Sequence, residues 1–408
     1  MKILIVSQYF WPENFRINEL AQEFLKNGHN VTVLTGLPNY PDGEIYKEFT
    51  ENKNSFSIYK GIKIIRVPIY PRKKGRINLI LNYLSFLVSG TFYVLLKLRK
   101  KKFDFVFTFQ LSPITSAIPS IFYSLINQSV HILWVLDLWP ETLIDLGILK
   151  KKFNIKIFRI FVNWIYRRSD IILAQSKSFV ENIKQFIPYK KNIYYYPSWG
   201  EANLFSKNIK PTDEIKPSNK FTILFAGNIG EAQDFKSVIK AVKFLSSKNI
   251  RNFRIIILGE GSKKKWLVNK IKSLGIESYF EIKQKYPLEA MPSFFYHADA
   301  LLVSLLSRNG FNMTIPGKIQ FYLSSGIPII GMINGEGSRV IKEAKAGLVC
   351  EASNYLELSN LILKMSYLEK KELKEMGNNG KLYCEKEFSK SNQVKRLLEI
   401  FENFSREK

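Results

Sequence analysis

Short apolar runs alternate with segments of helical period, and this alternation starts twice in the chain. In the first half the runs are Lys2–Val6, Val31–Thr35, Lys63–Val67, Asp104–Phe109, His131–Leu136, Asp170–Ala174 and Ile193–Tyr196. Lys2–Val6 is a continuous apolar run, as expected of a parallel strand covered on both faces. Ile17, Leu20, Ala21, Phe24 and Leu25 then recur at helical spacing until Asn27-Gly28 stops them. Seven strands with helical or loop crossovers predict a doubly wound, Rossmann-like α/β domain over residues 1–206. Between Lys207 and Lys220 the texture changes to Lys, Pro, Asp, Asn and Ser, which reads as a linker or long surface loop.

The pattern then restarts. Phe221–Phe225, Phe253–Leu258, Tyr279–Ile282, Ala300–Ser304, Ile327–Ile330 and Leu348–Cys350 predict a second parallel sheet, in a domain over residues 221–390. Phe235, Val238, Ile239, Val242 and Leu245 mark one of its helices. Val394, Leu397, Leu398 and Phe401 give a final helix over 391–408 one apolar face, expected to pack back on the first domain. Two such units face a cleft, and ligands bind at the carboxyl ends of the strands.

Charge narrows the partners. Lys+Arg number 61 and Asp+Glu 35, a net charge of +26, which suits nucleic acid, a phosphate-bearing ligand or an anionic membrane. Thirteen of the basic residues lie between Asn52 and Phe103, a stretch without one acid. Within it, residues 77–96 are mostly apolar, preceded by Arg72, Lys73, Lys74 and Arg76 and followed by Lys97, Arg99, Lys100, Lys101 and Lys102. The length would just span a bilayer, which needs about 20 apolar residues. Basic clusters on both flanks oppose the positive-inside bias, and a span would separate two strands of one sheet. A helix lying in the interface, or docked over the core with a basic rim, is expected instead. Two distant cysteines and three histidines exclude a disulfide framework, and a His-rich metal cage is not expected. The first residues lack a cleavage site after their short apolar run, so a cytoplasmic protein with a core strand at its start is expected.

Candidate chemistry sits where strands end. Phe221–Phe225 runs into Gly227-Asn228-Ile229-Gly230, and Leu258 into Gly259-Glu260-Gly261, each followed by a helix that offers free N–H groups to a phosphate. Thr314-Ile315-Pro316-Gly317-Lys318-Ile319-Gln320 opens another helix with a cation in its first turn. In the first domain, His131–Leu136 delivers Asp137 and Glu141 around Trp139-Pro140. These carboxylates could act as acid, base or acceptor-positioning groups, and Asp137 equally as a cap or loop brace. The loop after the first strand carries Glu13, Asn14, Arg16 and Asn18 as candidate acceptor-binding residues, with surface capping as the plain alternative.

At these residues the chain resembles the GT-B glycosyltransferases of family 4. The resemblance is closer still to a bacterial surface-polysaccharide branch that includes L-fucosamine (FucNAc) and colanic-acid-type transferases. The matching segments are Gln8–Arg16, Leu34–Pro41, Val135–Glu141, Ala174–Phe179, Gly227–Gly230 and Thr314–Gln320, running in order along nearly the whole chain. The resemblance implies a retaining transferase that uses a UDP-sugar, requires no metal or other cofactor, and takes a polyprenyl-diphosphate-linked acceptor. It implies a peripheral place on the inner face of a bacterial cytoplasmic membrane, in capsule or O-antigen assembly, with no nucleic-acid partner.

Carried over by position, Gly227, Asn228, Gly259, Glu260, Gly261 and Thr314 would line the donor side. Lys318 would stand nearest the diphosphate, and Gln284 and Tyr286 beside the base. Arg16, Asn18 and Asp137 would face the incoming hydroxyl. Where the family often has a Glu-x7-Glu pair, this chain has Met313 and Phe321, so ribose recognition would pass to Gln320 or a backbone group. Asn228 and Gln233 replace the family's Arg and Lys, and Leu136 its His. Diphosphate neutralisation would then rest on Lys318, helix N-termini, and Lys236 or Arg308. Competing readings are a UDP-sugar 2-epimerase of the same fold and a basic nucleic-acid-binding protein.

Overall fold

The computed structural model describes residues 1–189, 192–205 and 209–407, which form two units, Met1–Tyr196 and Pro197–Lys408. In the first unit the strands are β1 (Lys2–Val6), β2 (Asn30–Gly36), β3 (Ile58–Tyr59), β4 (Ile62–Val67), β5 (Phe105–Gln110), β6 (Val130–Val135), β7 (Ile171–Ala174) and β8 (Ile193–Tyr195). They lie in the order 3-4-2-1-5-6-7-8, all parallel except β3, which turns back on β4 through Lys60 and Gly61, both at positive φ. That two-residue strand is too short to leave a pattern in the sequence. The helices are α1 (Arg16–Lys26), α2 (Lys47–Glu51), α3 (Arg76–Tyr93), α4 (Ile118–Asn127), α5 (Glu141–Asp145), α6 (Lys152–Arg167) and α7 (Lys177–Phe186).

Strand order fixes which face each helix covers, because parallel crossovers are right-handed. The connection from β1 to β2 runs one way along the sheet, and those through α3, α4 and α6 run the other way. Packing agrees. Phe24 of α1 meets Phe107, whereas Leu4, Val6 and Val106 bury Phe86, Val94 and Tyr123 from α3, its continuation and α4. Thr108 donates to Ser120 of α4 and shares a hydrogen bond with His131, whose other ring nitrogen meets the Arg168 carbonyl just beyond α6. Thus α3, α4 and α6 form one layer on one face of the sheet. The helix Arg76–Leu98 is long and apolar enough to cross a membrane by length and composition. It packs along its own sheet, however, so it could not cross unless the sheet entered the bilayer with it.

The second unit is wholly parallel: β9 (Phe221–Ala226), β10 (Phe253–Leu258), β11 (Phe280–Lys283), β12 (Ala300–Ser304), β13 (Ile329–Met332) and β14 (Gly347–Cys350), in the order 11-10-9-12-13-14. Its helices are α8 (Phe235–Ser247), α9 (Lys264–Ser273), α10 (Met291–Phe295), α11 (Asn309–Met313), α12 (Gly317–Ser325), α13 (Gly335–Glu343), α14 (Tyr355–Ser366), α15 (Lys370–Glu387) and α16 (Lys390–Glu407). β13 starts two residues later than its apolar run, because Gly326 at φ +73° caps α12 and Pro328 has no N–H for the ladder. α16 belongs to this unit, adjoins α15 and buries Val394, Leu397 and Phe401.

The polar stretch before β9 is less loose than its composition suggests. Lys207 and Asn208 of the expected linker lie outside the described residues. Beyond them Ile215 is buried, Arg254 donates to the Lys216 carbonyl, and the Thr212 N–H donates to the Ser293 carbonyl. The stretch is therefore tied to the second unit. In each sheet the strand order reverses at one point, at β1 and at β9, and the loops that follow these strands are where ligands are expected.

Candidate active site

In the second unit the site is built around Lys318. Tyr322 accepts from the Ala226 N–H at 2.9 Å and donates back to the Ala226 carbonyl at 3.2 Å, which staples α12 to the end of β9. One turn earlier on α12, the Lys318 ammonium lies 3.5 Å from the centre of the Phe225 ring. A Cβ on Gly227, which sits at φ +145°, would stand 3.0 Å from that nitrogen and crowd it. No carboxylate pairs with Lys318 among the described residues, and burial pulls its pKa down to about 7. A cation held at a switch point without a counter-ion is prepared for an anionic ligand. Tyr322 and Phe225, which set this geometry, escaped the sequence reading because each reads as core.

The neighbouring glycines have another role. A Cβ on Gly259 would fall 1.9 Å from the Gly227 carbonyl oxygen, and the Ile229 N–H donates to the Glu260 carbonyl at 2.8 Å. The Gly259–Gly261 loop thus owes its glycines to close approach of the Gly227–Gly230 loop. Several other expected donor residues are engaged with protein. Gln320 is buried and its amide donates to the Ser198 carbonyl at 2.8 Å. Phe321, at the position of that Glu, packs with Phe205 and Phe295. Thr314 donates to the Gly310 carbonyl, closing α11, and Glu260 pairs with Lys264 on the surface. Asn228 and Gln284 are exposed, and Tyr286 stacks on Phe294 and donates to Glu214.

In the first unit Asp137 follows β6, accepting from Trp139 Nε1 at 2.9 Å and Thr142 Oγ1 at 2.5 Å. Burial raises its pKa against these bonds and the nearby Ser112 hydroxyl. Glu141 is deeply buried at the start of α5, with Oε1 3.4 Å from Arg159 and Oε2 unpartnered. Burial raises its pKa as well. Glu13 is a brace: its carboxylate accepts from the N–H groups of Asn39, Tyr40 and Phe10, joining the loops after β1 and β2. Asn18 is buried between the Trp11 N–H and the Glu13 carbonyl. Neither matches the acceptor-facing role expected of it, because their polar atoms are committed to the loop. Asn14 is exposed, and Arg16 is half-buried and paired with Glu19.

A further group gathers at this edge. The Arg72 guanidinium lies 5.3 Å from the centre of the Tyr40 ring, which packs on Tyr9 and Phe15. Tyr83 of α3 feels the charges of both Arg72 and Asp137. Arg72, expected to serve the membrane, is instead tied into this cluster, and its N–H donates to Asn39. The other eight basic residues around α3 are exposed. The aromatic members come from three separate segments, so no local motif announces them.

Two α/β units with ligand-binding loops at their switch points make up the GT-B fold. Residues 206–383 match the family model "Glycosyl transferases group 1", and the chain is a glycosyltransferase carrying that domain. It is similar to the putative colanic acid biosynthesis glycosyl transferase WcaI of Escherichia coli K12, with 24% identity over 353 residues covering 80% of this chain and 82% of that one. It is also similar to a Campylobacter jejuni diphospho-undecaprenol 4-alpha-N-acetylgalactosaminyltransferase, with 28% identity over 132 residues, 32% of this chain and 34% of that one. Among solved structures, Anabaena Alr3699/HepE in complex with UDP superposes with a TM-score of 0.68 at 12% identity, over 99% of this chain and 100% of that one.

Proposed function

We propose that the protein transfers an N-acetylated sugar, FucNAc, from a UDP donor to a polyprenyl-diphosphate-linked sugar, with retention and without a metal. The setting is surface-polysaccharide assembly, capsule or O-antigen, at the inner face of a bacterial cytoplasmic membrane. The observation that carries this reading is Lys318, a cation without a counter-ion at the β9 switch point. A leaving diphosphate would supply the missing charge, and stabilising that charge is the main catalytic contribution. Asp137 would orient or deprotonate the acceptor hydroxyl, and its raised pKa suits proton exchange. Arg72 and the Tyr9–Tyr40–Tyr83 wall would receive the acceptor's phosphate and sugar. The names of WcaI and of the Campylobacter transferase support a polysaccharide setting and a lipid-linked acceptor. HepE, which holds UDP, supports the donor.

The test is UDP release from a panel of UDP-N-acetylhexosamines in the presence of bacterial membrane extract. Release with one donor is expected. No release with any of them overturns the reading, and donor isomerisation without acceptor would identify an epimerase.

A further inference from the structure

The helix α3 buries polar groups beside Phe86 and turns most of its apolar side chains outward. Asn82 on its inner side is fully buried, accepting from Gln8 Nε2 at 2.7 Å and donating to the Tyr70 carbonyl at 2.6 Å. Asn78 and Ser85 bond Tyr70 from the same side. The outer side shows Ile77, Leu84, Val88 and Phe92, followed just beyond the helix by Leu96, each about half exposed or more. A helix at a water interface has the opposite arrangement.

The exposed apolar surface continues across the layer, on helices whose inner sides are apolar as well. Phe122, Leu125 and Ile126 of α4 are exposed, and α4 meets α3 where Pro119 covers Gly90. On α6, Phe153, Ile157, Ile160 and Trp164 recur at helical spacing and are all exposed, Phe153 at 71%. Tyr83, Trp139 and Phe158 link α3 to α6 through ring contacts. From Leu146 to Ser169 there is again no acid, while Lys150, Lys151, Lys152, Lys156, Arg159, Arg167 and Arg168 supply charge. No residue of α4 is charged.

We propose that α3, α4 and α6 together form one docking surface for an anionic lipid bilayer, with α6 inserting beside α3. This rests on the peripheral-membrane reading of α3 and extends it to two helices not assigned to that role. An exposed apolar face of this extent marks an interaction site, and its rim selects the partner. Basic residues stand at both ends of α3 and at both ends of α6, matching anionic headgroups, which attract each by about 1 kcal/mol. A symmetric pairing of two copies through this face would bring like-charged rims together. The inner side of α3 also holds Gln8 and Tyr9 in the loop after β1, so the lipid-facing helix and the loop at the switch point move as one piece.

The test uses the full chain with single introduced cysteines. Cys350 and Cys384 are both buried, so a thiol-reactive, polarity-sensitive fluorophore reports on the new site. Val88→Cys on α3, Ile157→Cys on α6 and Leu382→Cys on the exposed surface of the second unit are titrated with vesicles of phosphatidylcholine and phosphatidylglycerol. Blue shifts at 88 and 157, with none at 382, are expected. A shift at 88 alone overturns the three-helix surface and leaves the α3 reading standing, whereas no shift at either overturns both. A shift at 157 that follows protein concentration without vesicles means self-association and also overturns it. The double variant Ile157→Ser/Ile160→Ser should partition into these vesicles at least tenfold more weakly, a loss of about 1.4 kcal/mol.

Discussion

The two units share a doubly wound plan, yet α3 of the first and α8 of the second face their surroundings in different ways. In the second unit α8 buries Val238, Ile239, Val242 and Leu245 and turns Lys236, Lys240 and Lys243 outward. In the first, α3 buries Asn82 and turns Val88 and Phe92 outward. The carboxyl edges differ as well. The first unit surrounds the carboxylates of Glu13 and Asp137 with donors, whereas in the second no carboxylate pairs with Lys318 among the described residues. Sheet topology therefore does not dictate what a face or an edge presents. The crossovers set where each helix lies, and the side chains then choose lipid or water, phosphate or proton.

The largest expected effect tests the edge of the second unit. Lys318→Met keeps the stem but removes the charge, and loss of a buried ionic partner costs about 2–5 kcal/mol. UDP affinity measured by calorimetry should fall by ~30-fold or more, with kcat/KM falling alongside. The variant should also melt higher, because an unpaired buried charge opposes folding. The pH dependence has a defined sign. The folded pKa is about 7 against an ordinary 10.5, so above pH 7 the unfolded chain holds a proton the native one has released. Wild-type stability should rise with pH in that window while UDP binding weakens, and Lys318→Met should lose both trends.

Asp137→Asn addresses the opposite edge. An amide can still accept from Trp139 or Thr142, so the fold should persist while proton exchange is lost. A fall of about 100-fold in kcat with an unchanged donor KM is expected. A rise in donor KM instead would mean that the two edges do not divide donor and acceptor between them.

A pair of substitutions on α3 sharpens the contrast between faces. Asn82→Ala strips partners from Gln8, Tyr9 and the Tyr70 carbonyl, and urea denaturation should show a loss of about 2 kcal/mol. Val88→Ser, on the outer side of the same helix, should change stability by less than about 0.5 kcal/mol. Equal losses at the two positions would place α3 in an ordinary protein core.

Much of the fold was legible because strands covered on both faces write themselves as apolar runs, as Lys2–Val6 and Phe253–Leu258 do to the residue. Lys318 was legible for a local reason: Pro316-Gly317 starts a helix and puts the lysine in its first turn. The partners that define the site are another matter. Tyr322 reaches Ala226 across 96 residues and Asn82 reaches Gln8 across 74, and neither leaves a trace in spacing. Composition also gave the polarity of residues 77–96 without its direction. Asn78, Asn82 and Ser85 look like interruptions of a lipid-facing helix until the structure shows that they all point inward.

The smallest expected effect concerns Glu13, the carboxylate that braces the first unit's edge. Burial pushes its pKa up to about 7 from an ordinary 4.5, even though three backbone N–H groups and the nearby Arg66 favour the charge. Between these values the native protein keeps a proton that the unfolded chain has lost, so stability falls as pH rises through the window. Glu13→Gln cannot titrate. Its carbonyl can still accept from Asn39 and Tyr40, but its NH2 would meet the Phe10 N–H in place of Oε2. The variant should therefore start weaker by about 1 kcal/mol at pH 5, cross the wild type on the way up, and be the more stable of the two by about 1 kcal/mol near pH 8. Urea denaturation of both proteins at the two pH values isolates this term, since every other group titrates alike in each. Parallel pH profiles would mean that Glu13 stays ionised. The buried carboxylate would then be as fully compensated as the lysine of the second unit is not.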